Sequence, residues 1–259
     1  MKLKDQVAII TGAGRGLGRA SAIEMAKEGA SVVILSRTPS ELRETASRVK
    51  DLGGEILSIR ADVSRPKDVE RVVHRTLSRF GQIDILINNA AIIGPLRPLF
   101  QVGEKEWNQT LEINLRGPVL LSKAVLPHMI KRRRGRIINV VSGLGEIVMP
   151  PFGAYSVSKA GLIHLTRLMA RELRQYRIRV NGLDPGIMDT RMQEEIRAAG
   201  PQVLGLQLYR QVVGWKERGE LKPPEKVAPL AVFLASSASD SVNGQIGTAT
   251  DYRKLGYRG

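Results

Sequence analysis

The sequence predicts an α/β protein built on one doubly wound, parallel β-sheet. Short apolar and β-branched runs alternate with helical patterns along nearly the whole chain of 259 residues. The runs are mostly apolar rather than alternating in polarity, as expected of strands that helices cover on both faces. Apolar residues make up 42% of the chain and charged residues 25%, an ordinary balance for a folded protein. We therefore expect a single domain over residues 1–259, with an irregular insertion at about residues 187–222.

Seven strands and six main helices follow from the pattern. Strands are predicted at residues 7–11, 31–36, 56–59, 83–88, 136–142 and 178–183, with a weaker one at 245–249. Helices are predicted at about residues 16–28, 39–52, 66–80, 104–134, 154–176 and 225–236. Pro66 and Gly81 stand at the start and the end of the third helix, positions that suit a missing N–H and a left-handed conformation. Repeated strand–helix–strand units imply right-handed crossovers, with helices on both faces of the sheet.

Composition excludes several classes of protein. The chain has no cysteine and only three scattered histidines, which excludes disulfides, cysteine-based zinc sites and thiol catalysis, and we predict no metal site. No apolar run approaches transmembrane length, so we expect a soluble, cytoplasmic protein with no membrane partner. A net charge of +15 raises nucleic acid as a partner. However, the densest basic run, at residues 131–136, is typical of a helix end, where cations interact favourably with the helix dipole.

A glycine-rich loop joins the first strand to the first helix. It reads Thr11-Gly12-Ala13-Gly14-Arg15-Gly16-Leu17-Gly18, with the spacing T-G-x-x-x-G-x-G instead of G-x-G-x-x-G. A close backbone and a helix N-terminus at this place suit a pyrophosphate. We therefore predict that this loop binds a dinucleotide through Thr11, Gly12, Gly14, Arg15, Gly16, Leu17 and Gly18.

The end of the second strand indicates which dinucleotide is bound. A site for NAD uses an Asp or Glu here to accept from the ribose 2′-hydroxyl. This chain has Ser36, Arg37 and Thr38 instead. Two guanidiniums, those of Arg37 and Arg15, suit a 2′-phosphate, so we predict NADP(H), preferred over NAD(H). The alternative is that the two arginines are unrelated surface residues.

Polar segments also follow the third and fourth strands, at the sheet edge where such folds bind ligands. We predict that five residues of these segments line the cofactor site: Asp62, Val63, Asn89, Ala90 and Ala91. Either segment alone is also typical of a plain turn.

Ser142, Tyr155 and Lys159 form the strongest candidate for catalysis. Ser142 ends the fifth strand, and Tyr155 and Lys159 stand four residues apart on one face of the next helix. A tyrosine with its ordinary pKa of about 10 is a poor acid or base at neutral pH. An adjacent ammonium is expected to lower the pKa of Tyr155 toward the working pH.

Together these motifs closely resemble the short-chain dehydrogenase/reductase family, in its single-domain form, from the glycine loop to about residue 247. The resemblance implies a Rossmann-type sheet in the order 3-2-1-4-5-6-7. It also implies a catalytic tetrad, Asn114, Ser142, Tyr155 and Lys159, and nicotinamide contacts from Pro185, Gly186, Ile187 and Thr190. Three features depart from the family pattern: Ala91 for the usual glycine, Asp184 before Pro185, and an altered C-terminus that leaves the tetramer contacts open.

The resemblance implies NADP(H)-dependent interconversion of a carbonyl and a secondary alcohol by a homotetramer or homodimer. Tyr155 would protonate the developing alkoxide and Ser142 would stabilise it. Lys159 would bind the nicotinamide ribose, and Asn114 would anchor a water that relays protons to it. The substrate pocket is expected to be apolar and to include Ile93, Leu96, Leu144, Val148, Met149, Phe152, Met188 and Met192.

Two questions stay open at the level of sequence. The substrate could be a 3-oxoacyl chain on an acidic carrier protein, which basic residues at 132–134 and 171–174 would suit, or a sugar or steroid. The rival from another class is a dinucleotide-sensing or nucleic-acid-binding module without turnover. The complete Asn-Ser-Tyr-Lys set argues against that rival, because a module without chemistry has no evident need for all four.

Overall fold

The sheet is all-parallel and has seven strands in the order β3-β2-β1-β4-β5-β6-β7, as the family resemblance implies. It is described here from a computed structural model that covers residues 1–259. The strands are β1 (Val7–Thr11), β2 (Ser31–Ser36), β3 (Ile56–Arg60), β4 (Ile85–Asn88), β5 (Gly135–Val140), β6 (Ile178–Leu183) and β7 (Ile246–Gly247). The strand order reverses between β1 and β4, which is where doubly wound sheets open a crevice.

Eleven α-helices cover the sheet. They are α1 (Gly16–Lys27), α2 (Pro39–Lys50), α3 (Pro66–Phe80), α4 (Glu104–Leu111), α5 (Gly117–Arg132), α6 (Gly153–Glu172), α7 (Arg191–Ala198), α8 (Gly200–Leu204), α9 (Leu206–Glu217), α10 (Pro224–Ala235) and α11 (Ala249–Arg253). Although α6 is 20 residues long, no helix combines the length and the apolarity that a membrane span requires.

The core lies on both faces of the sheet. Along β1, Ala8 and Ile10 pack on one side with α1 and α10, whereas Val7 and Ile9 pack on the other with α3 and α5. Successive side chains of a strand point to opposite faces, so a strand buried on both sides is apolar throughout. This is why the mostly apolar runs of the sequence are strands of a parallel sheet.

Three elements differ from the sequence prediction. The helix predicted at 104–134 is interrupted by a wide π-helical turn, Glu112–Arg116, between α4 and α5. The fifth strand ends at Val140, so Ser142 lies two residues beyond it and not at its end. The stretch predicted to be irregular, at 187–222, contains α7, α8 and α9. Pro118 follows the π turn, and because a proline inside a helical pattern removes an i→i−4 hydrogen bond, it is a sequence signal of this interruption.

A buried carboxylate ties together the amino ends of β1 and β4. Asp84 is 3% exposed, and its Oδ2 accepts a hydrogen bond from the Val7 backbone N–H at 2.9 Å. Its Oδ1 accepts from the Arg132 guanidinium at the end of α5, also at 2.9 Å. One cation of the basic run at 131–136 is therefore part of the fold.

Asp84→Ala should destabilise the protein, because it leaves the Val7 N–H and the Arg132 guanidinium without an acceptor. An unsatisfied buried donor and a broken, partly buried ion pair together cost about 2–4 kcal/mol. Urea unfolding followed by circular dichroism measures the loss. Asp51→Ala, at an exposed position after α2, is the control and should change stability by less than about 0.5 kcal/mol. Equal stability of the two variants would contradict this role of Asp84.

Candidate active site

Thr11 and Asn89 fasten the glycine loop to the crevice between β1 and β4. The Thr11 hydroxyl accepts hydrogen bonds from the backbone N–H of Asn89 at 2.9 Å and of Ala90 at 2.8 Å. The Asn89 side-chain amide donates to the Thr11 carbonyl at 2.8 Å. These bonds fix the relative position of the two strand ends on which the loop stands.

The loop then packs against itself so closely that only glycine fits. Gly12 has a φ of +63°, in the left-handed region. A Cβ on Gly18 would lie 2.5 Å from the Gly12 carbonyl oxygen and 2.6 Å from the Asn89 amide nitrogen. Since Gly12, Gly14 and Gly16 have no side chains of their own and line the cleft, the loop offers backbone and the N-terminus of α1 to a ligand. These features fit the diphosphate of a dinucleotide.

One cleft of about 920 Å³ runs from the end of β2, past the glycine loop, to the start of α6. Most of the residues predicted for the cofactor line it: Gly12, Gly14, Arg15, Gly16, Leu17, Ser36, Arg37, Thr38, Asp62, Val63, Asn89, Ala90, Ala91, Tyr155, Lys159, Pro185 and Thr190. Thr11, Gly18, Gly186 and Ile187 are not among its lining residues. Across the cleft, the Thr190 methyl lies 3.6 Å from where a Cβ on Gly16 would stand.

The two arginines at the adenosine end are not equivalent. Arg37 is exposed and has no hydrogen bond or ion pair. Arg15 is paired with Glu41 of α2, with Nη1 3.0 Å from Oε1. Sequence reasoning treated both guanidiniums as free and missed Glu41, because the pair joins two segments 26 residues apart. Arg48 also lines this end of the cleft, but it is paired with Glu44 at 2.8 Å.

Tyr155 lies at the other end of the cleft and is 7% exposed. Burial raises the pKa of Tyr155 to about 12, because the phenolate loses hydration there. A hydrogen-bonding interaction with Ser142 opposes this rise, and the nearby Asp184 carboxylate adds to it. The expectation that Lys159 lowers the pKa of Tyr155 is therefore wrong for the protein without its cofactor. Burial is the largest cause of the raised pKa of Tyr155, and Lys159 is not among its causes.

Lys159 is buried beside the tyrosine, with Nζ 5.5 Å from the centre of the Tyr155 ring. Burial lowers the pKa of Lys159 to about 8, and the Asp184 carboxylate partly counters this. Nζ donates one hydrogen bond, to the Val140 carbonyl at 2.7 Å. An ammonium has three N–H donors, so two are left to hold ligand hydroxyls.

Asn114 lies in the π turn and is completely buried. Its Oδ1 accepts from the Ile92 backbone N–H at 2.9 Å, and its Nδ2 donates to the Ile92 carbonyl at 2.9 Å and to Ser158 at 3.1 Å. The side-chain amide thus fixes the segment after β4 against α6. Because these hydrogen bonds occupy the side-chain amide, Asn114 can contact a relay water only through its backbone.

Ser142 and Asp184 complete the polar groups near Tyr155. The Ser142 hydroxyl accepts from the Leu144 backbone N–H at 3.2 Å and so begins a short 3₁₀ turn. Asp184 follows β6, and its Oδ1 accepts from the Gly186 N–H at 2.9 Å. In the sequence Asp184 is only a departure from the family pattern, whereas in the structure its charge acts on both Tyr155 and Lys159.

A cluster of apolar side chains packs around Tyr155. Its buried residues are Ile93, Phe152, Tyr155, Ile196, Leu204 and Val212, with Leu96, Leu144, Met149 and Met192 partly buried against them. One residue predicted for the substrate pocket lies elsewhere, since Val148 is 93% exposed. Met188 lines the same cleft as Tyr155 and also packs against the core on the α1 and α10 side of the sheet. Val148 is in a loop, where apolar character alone does not fix the direction of a side chain.

The arrangement can transfer a proton at one end of a dinucleotide-sized cleft. Tyr155 holds a proton at neutral pH, Ser142 can donate a hydrogen bond to the same oxygen, and Lys159 has free donors beside them. The apolar cluster beside Tyr155 reduces the access of water to these groups.

Comparison with known proteins agrees with this geometry. The family model described as short chain dehydrogenase matches residues 6–200. A relative from Thauera aromatica, named as a (2S)-((R)-hydroxy(phenyl)methyl)succinyl-CoA dehydrogenase subunit, is 36% identical over 250 residues, 95% of either chain. A 3-oxoacyl-(acyl-carrier-protein) reductase from Thermotoga maritima is 32% identical over 95% of this chain and 96% of its own.

The fold is equally well matched by a solved structure. The crystal structure of NAD⁺-bound xylitol dehydrogenase superposes with a TM-score of 0.87 at 28% identity, over 96% of this chain and 98% of that one. Sheet order, glycine loop and family match together lead to one conclusion. The chain belongs to the short-chain dehydrogenase family of oxidoreductases, which act on carbonyl and alcohol groups with nicotinamide dinucleotides.

Proposed function

We propose that this protein is an NADP(H)-dependent oxidoreductase that interconverts an apolar ketone and a secondary alcohol, with Tyr155 as the acid/base. The observation that carries the proposal is that one cleft joins the glycine loop to Tyr155 and Lys159. A dinucleotide lying along it would have its phosphates at the loop and its reactive ring beside the tyrosine and the apolar cluster around it.

Each polar residue has a definite task in the reduction. When bound, the reduced cofactor supplies two electrons, as a hydride, to the carbonyl carbon. Tyr155 donates the proton to the carbonyl oxygen, and Ser142 holds that oxygen by a hydrogen bond. Lys159 holds ribose hydroxyls through its two free N–H groups, and its positive charge stabilises the phenolate that remains. Asn114 is a positioning residue for the wall of this site, through Ile92 and Ser158.

The apolar cluster beside Tyr155 supports a ketone with an apolar body over a sugar. The second candidate is a 3-oxoacyl chain on an acidic carrier protein, because a groove of about 930 Å³ is lined by Arg167, Arg171, Arg174, Arg177 and Arg179. The groove lies by the start of β6, the opposite strand end from the catalytic residues, which favours the first candidate.

Consumption of NADPH with a panel of free ketones, sugars, steroids and carrier-bound 3-oxoacyl chains distinguishes these candidate substrates. Retention on DNA at physiological salt with no turnover on this panel would favour a nucleic-acid-binding module instead.

A homotetramer or homodimer remains part of the proposal. Helix α6 carries two apolar side chains eleven positions apart, and therefore on one face: Val157, 50% exposed, and Leu168, 46% exposed. Burial of such residues against a second copy is the ordinary use of an apolar stripe on an exposed helix.

Tyr155→Phe should lower kcat at least about 100-fold, because it removes the proton donor and keeps the ring. NADPH affinity should stay within about threefold, since the phenyl ring still fills its place. Steady-state kinetics and fluorescence titration measure the two quantities. Tyr209→Phe, on α9 and packed against the same apolar cluster, is the matched control and should keep most of the activity. If Tyr155→Phe kept more than about a tenth of wild-type kcat, Tyr155 would not be the acid.

The pH dependence of kcat/KM for NADPH should reflect the ionisation of Lys159. Its pKa in the protein without cofactor is lowered to about 8, so the ammonium is present below that pH and is lost above it. The value of kcat/KM for NADPH, which reports groups of the free enzyme, should be flat below about pH 7 and fall about tenfold per unit well above pH 8. Lys159→Arg keeps the charge and should remove the fall while lowering the rate. A wild-type profile flat to about pH 10 would contradict the role of Lys159.

NADPH should bind about tenfold more tightly than NADH. The exposed Arg37 offers one free guanidinium, and a charge-assisted bond of 1.5–3 kcal/mol, roughly halved by solvent, gives about that ratio. Arg37→Asp should reverse the preference, because a carboxylate repels the 2′-phosphate and accepts from a 2′-hydroxyl. Fluorescence titration with both dinucleotides at one salt concentration measures it. Arg43→Asp, on the exposed face of α2, is the control; equal wild-type affinities would contradict the NADP(H) assignment.

A further inference from the structure

The ion pair between Arg15 and Glu41 lies at the adenosine end of the cleft. Glu41 is in the first turn of α2, and its side chain is 24% exposed. Its carboxylate reaches the glycine loop only because position 14 is glycine: a Cβ there would lie 2.9 Å from Glu41 Oε2 and 3.0 Å from the Ser36 hydroxyl. Glu41 therefore packs directly between the glycine loop and the end of β2, which Arg37 follows.

The other cations nearby have different partners. Arg19 donates to the Gly14 carbonyl at 3.0 Å and pairs with Glu44, and Arg48 pairs with the same Glu44. Both line the cleft together with Arg15, Arg37 and Glu41, whereas Glu44 does not line it. Glu41 thus places a negative charge in the cleft wall and neutralises one of the two arginines that a 2′-phosphate would use.

We propose that Glu41 determines how strongly this protein distinguishes NADPH from NADH, by competing with the 2′-phosphate for Arg15. A 2′-phosphate can pair with Arg15 only by displacing the carboxylate, and it is repelled by that carboxylate while it remains nearby. A ribose with a free 2′-hydroxyl carries no charge there, so it incurs neither cost. Glu41 therefore lowers the affinity for NADPH and leaves that for NADH unchanged. The inference rests on the proposed function, in that the cleft must bind a nicotinamide dinucleotide.

Glu41→Gln tests this, because it keeps the size of the side chain and removes its charge. Dissociation constants of NADPH and NADH are measured by calorimetry on the full-length wild type and variant, at low and at high salt. The variant should bind NADPH about fivefold to tenfold more tightly and NADH within about twofold of wild type. The gain should shrink at high salt, because screening weakens a partly exposed charge, whereas a change in packing would not respond to salt.

Glu24→Gln is the matched control. It breaks an ion pair with Lys27 on α1, and neither residue lines the cleft, so it should leave the ratio of the two affinities unchanged. Thermal unfolding of both variants shows that each is folded.

The outcomes separate the inference from the proposed function. If wild type binds NADH as tightly as NADPH but Glu41→Gln still gains NADPH affinity, the NADP(H) assignment is wrong and the role of Glu41 is supported. If Glu41→Gln leaves the ratio unchanged, or weakens NADPH because Glu41 orients Arg15 toward the phosphate, the inference is overturned. If neither dinucleotide binds to wild type, both fail.

Discussion

All seven strands run parallel, and the position of every residue at the site depends on this constraint. Segments that leave the carboxyl ends of parallel strands must lie along one edge of the sheet. The glycine loop after β1, Asp62 after β3, Ser142 after β5 and Pro185 after β6 therefore come together although they are distant in sequence. The reversal of strand order between β1 and β4 opens the crevice, and the Thr11–Asn89 hydrogen bonds hold its two sides in register.

Burial then sets the charge state at the catalytic end of the crevice. It disfavours the phenolate of Tyr155 and the ammonium of Lys159 alike, which moves their pKa values to about 12 and about 8. At neutral pH the tyrosine keeps its proton and the lysine is close to losing one. This is a suitable resting state for proton donation to a carbonyl oxygen. The reverse reaction, oxidation of an alcohol, needs the phenolate of Tyr155. Ligand hydroxyls that hold the protonated Lys159 in place would make this phenolate easier to form.

Much of this was predictable from sequence, because it depends on local patterns. Apolar runs located six of the strands closely. Glycine spacing located the loop after β1, although the tight packing at Gly18 is visible only in three dimensions. What escaped prediction arises from contacts between distant segments. The π turn at Asn114 is fixed by Ile92, Arg15 is neutralised by Glu41, and the pKa of Tyr155 is governed by burial that no spacing of residues reveals. The direction of a loop side chain such as Val148 is equally a property of packing.

We propose that this one cleft binds NADPH and uses it to reduce a carbonyl. The experiment that tests this mixes the protein with NADPH deuterated on its transferable face, and with an apolar ketone, and analyses the product by mass spectrometry. NADPH should be oxidised in step with alcohol formation, and the deuterium should be found on the carbinol carbon. Tight binding of NADPH with no deuterated alcohol from any member of a broad ketone panel would contradict it.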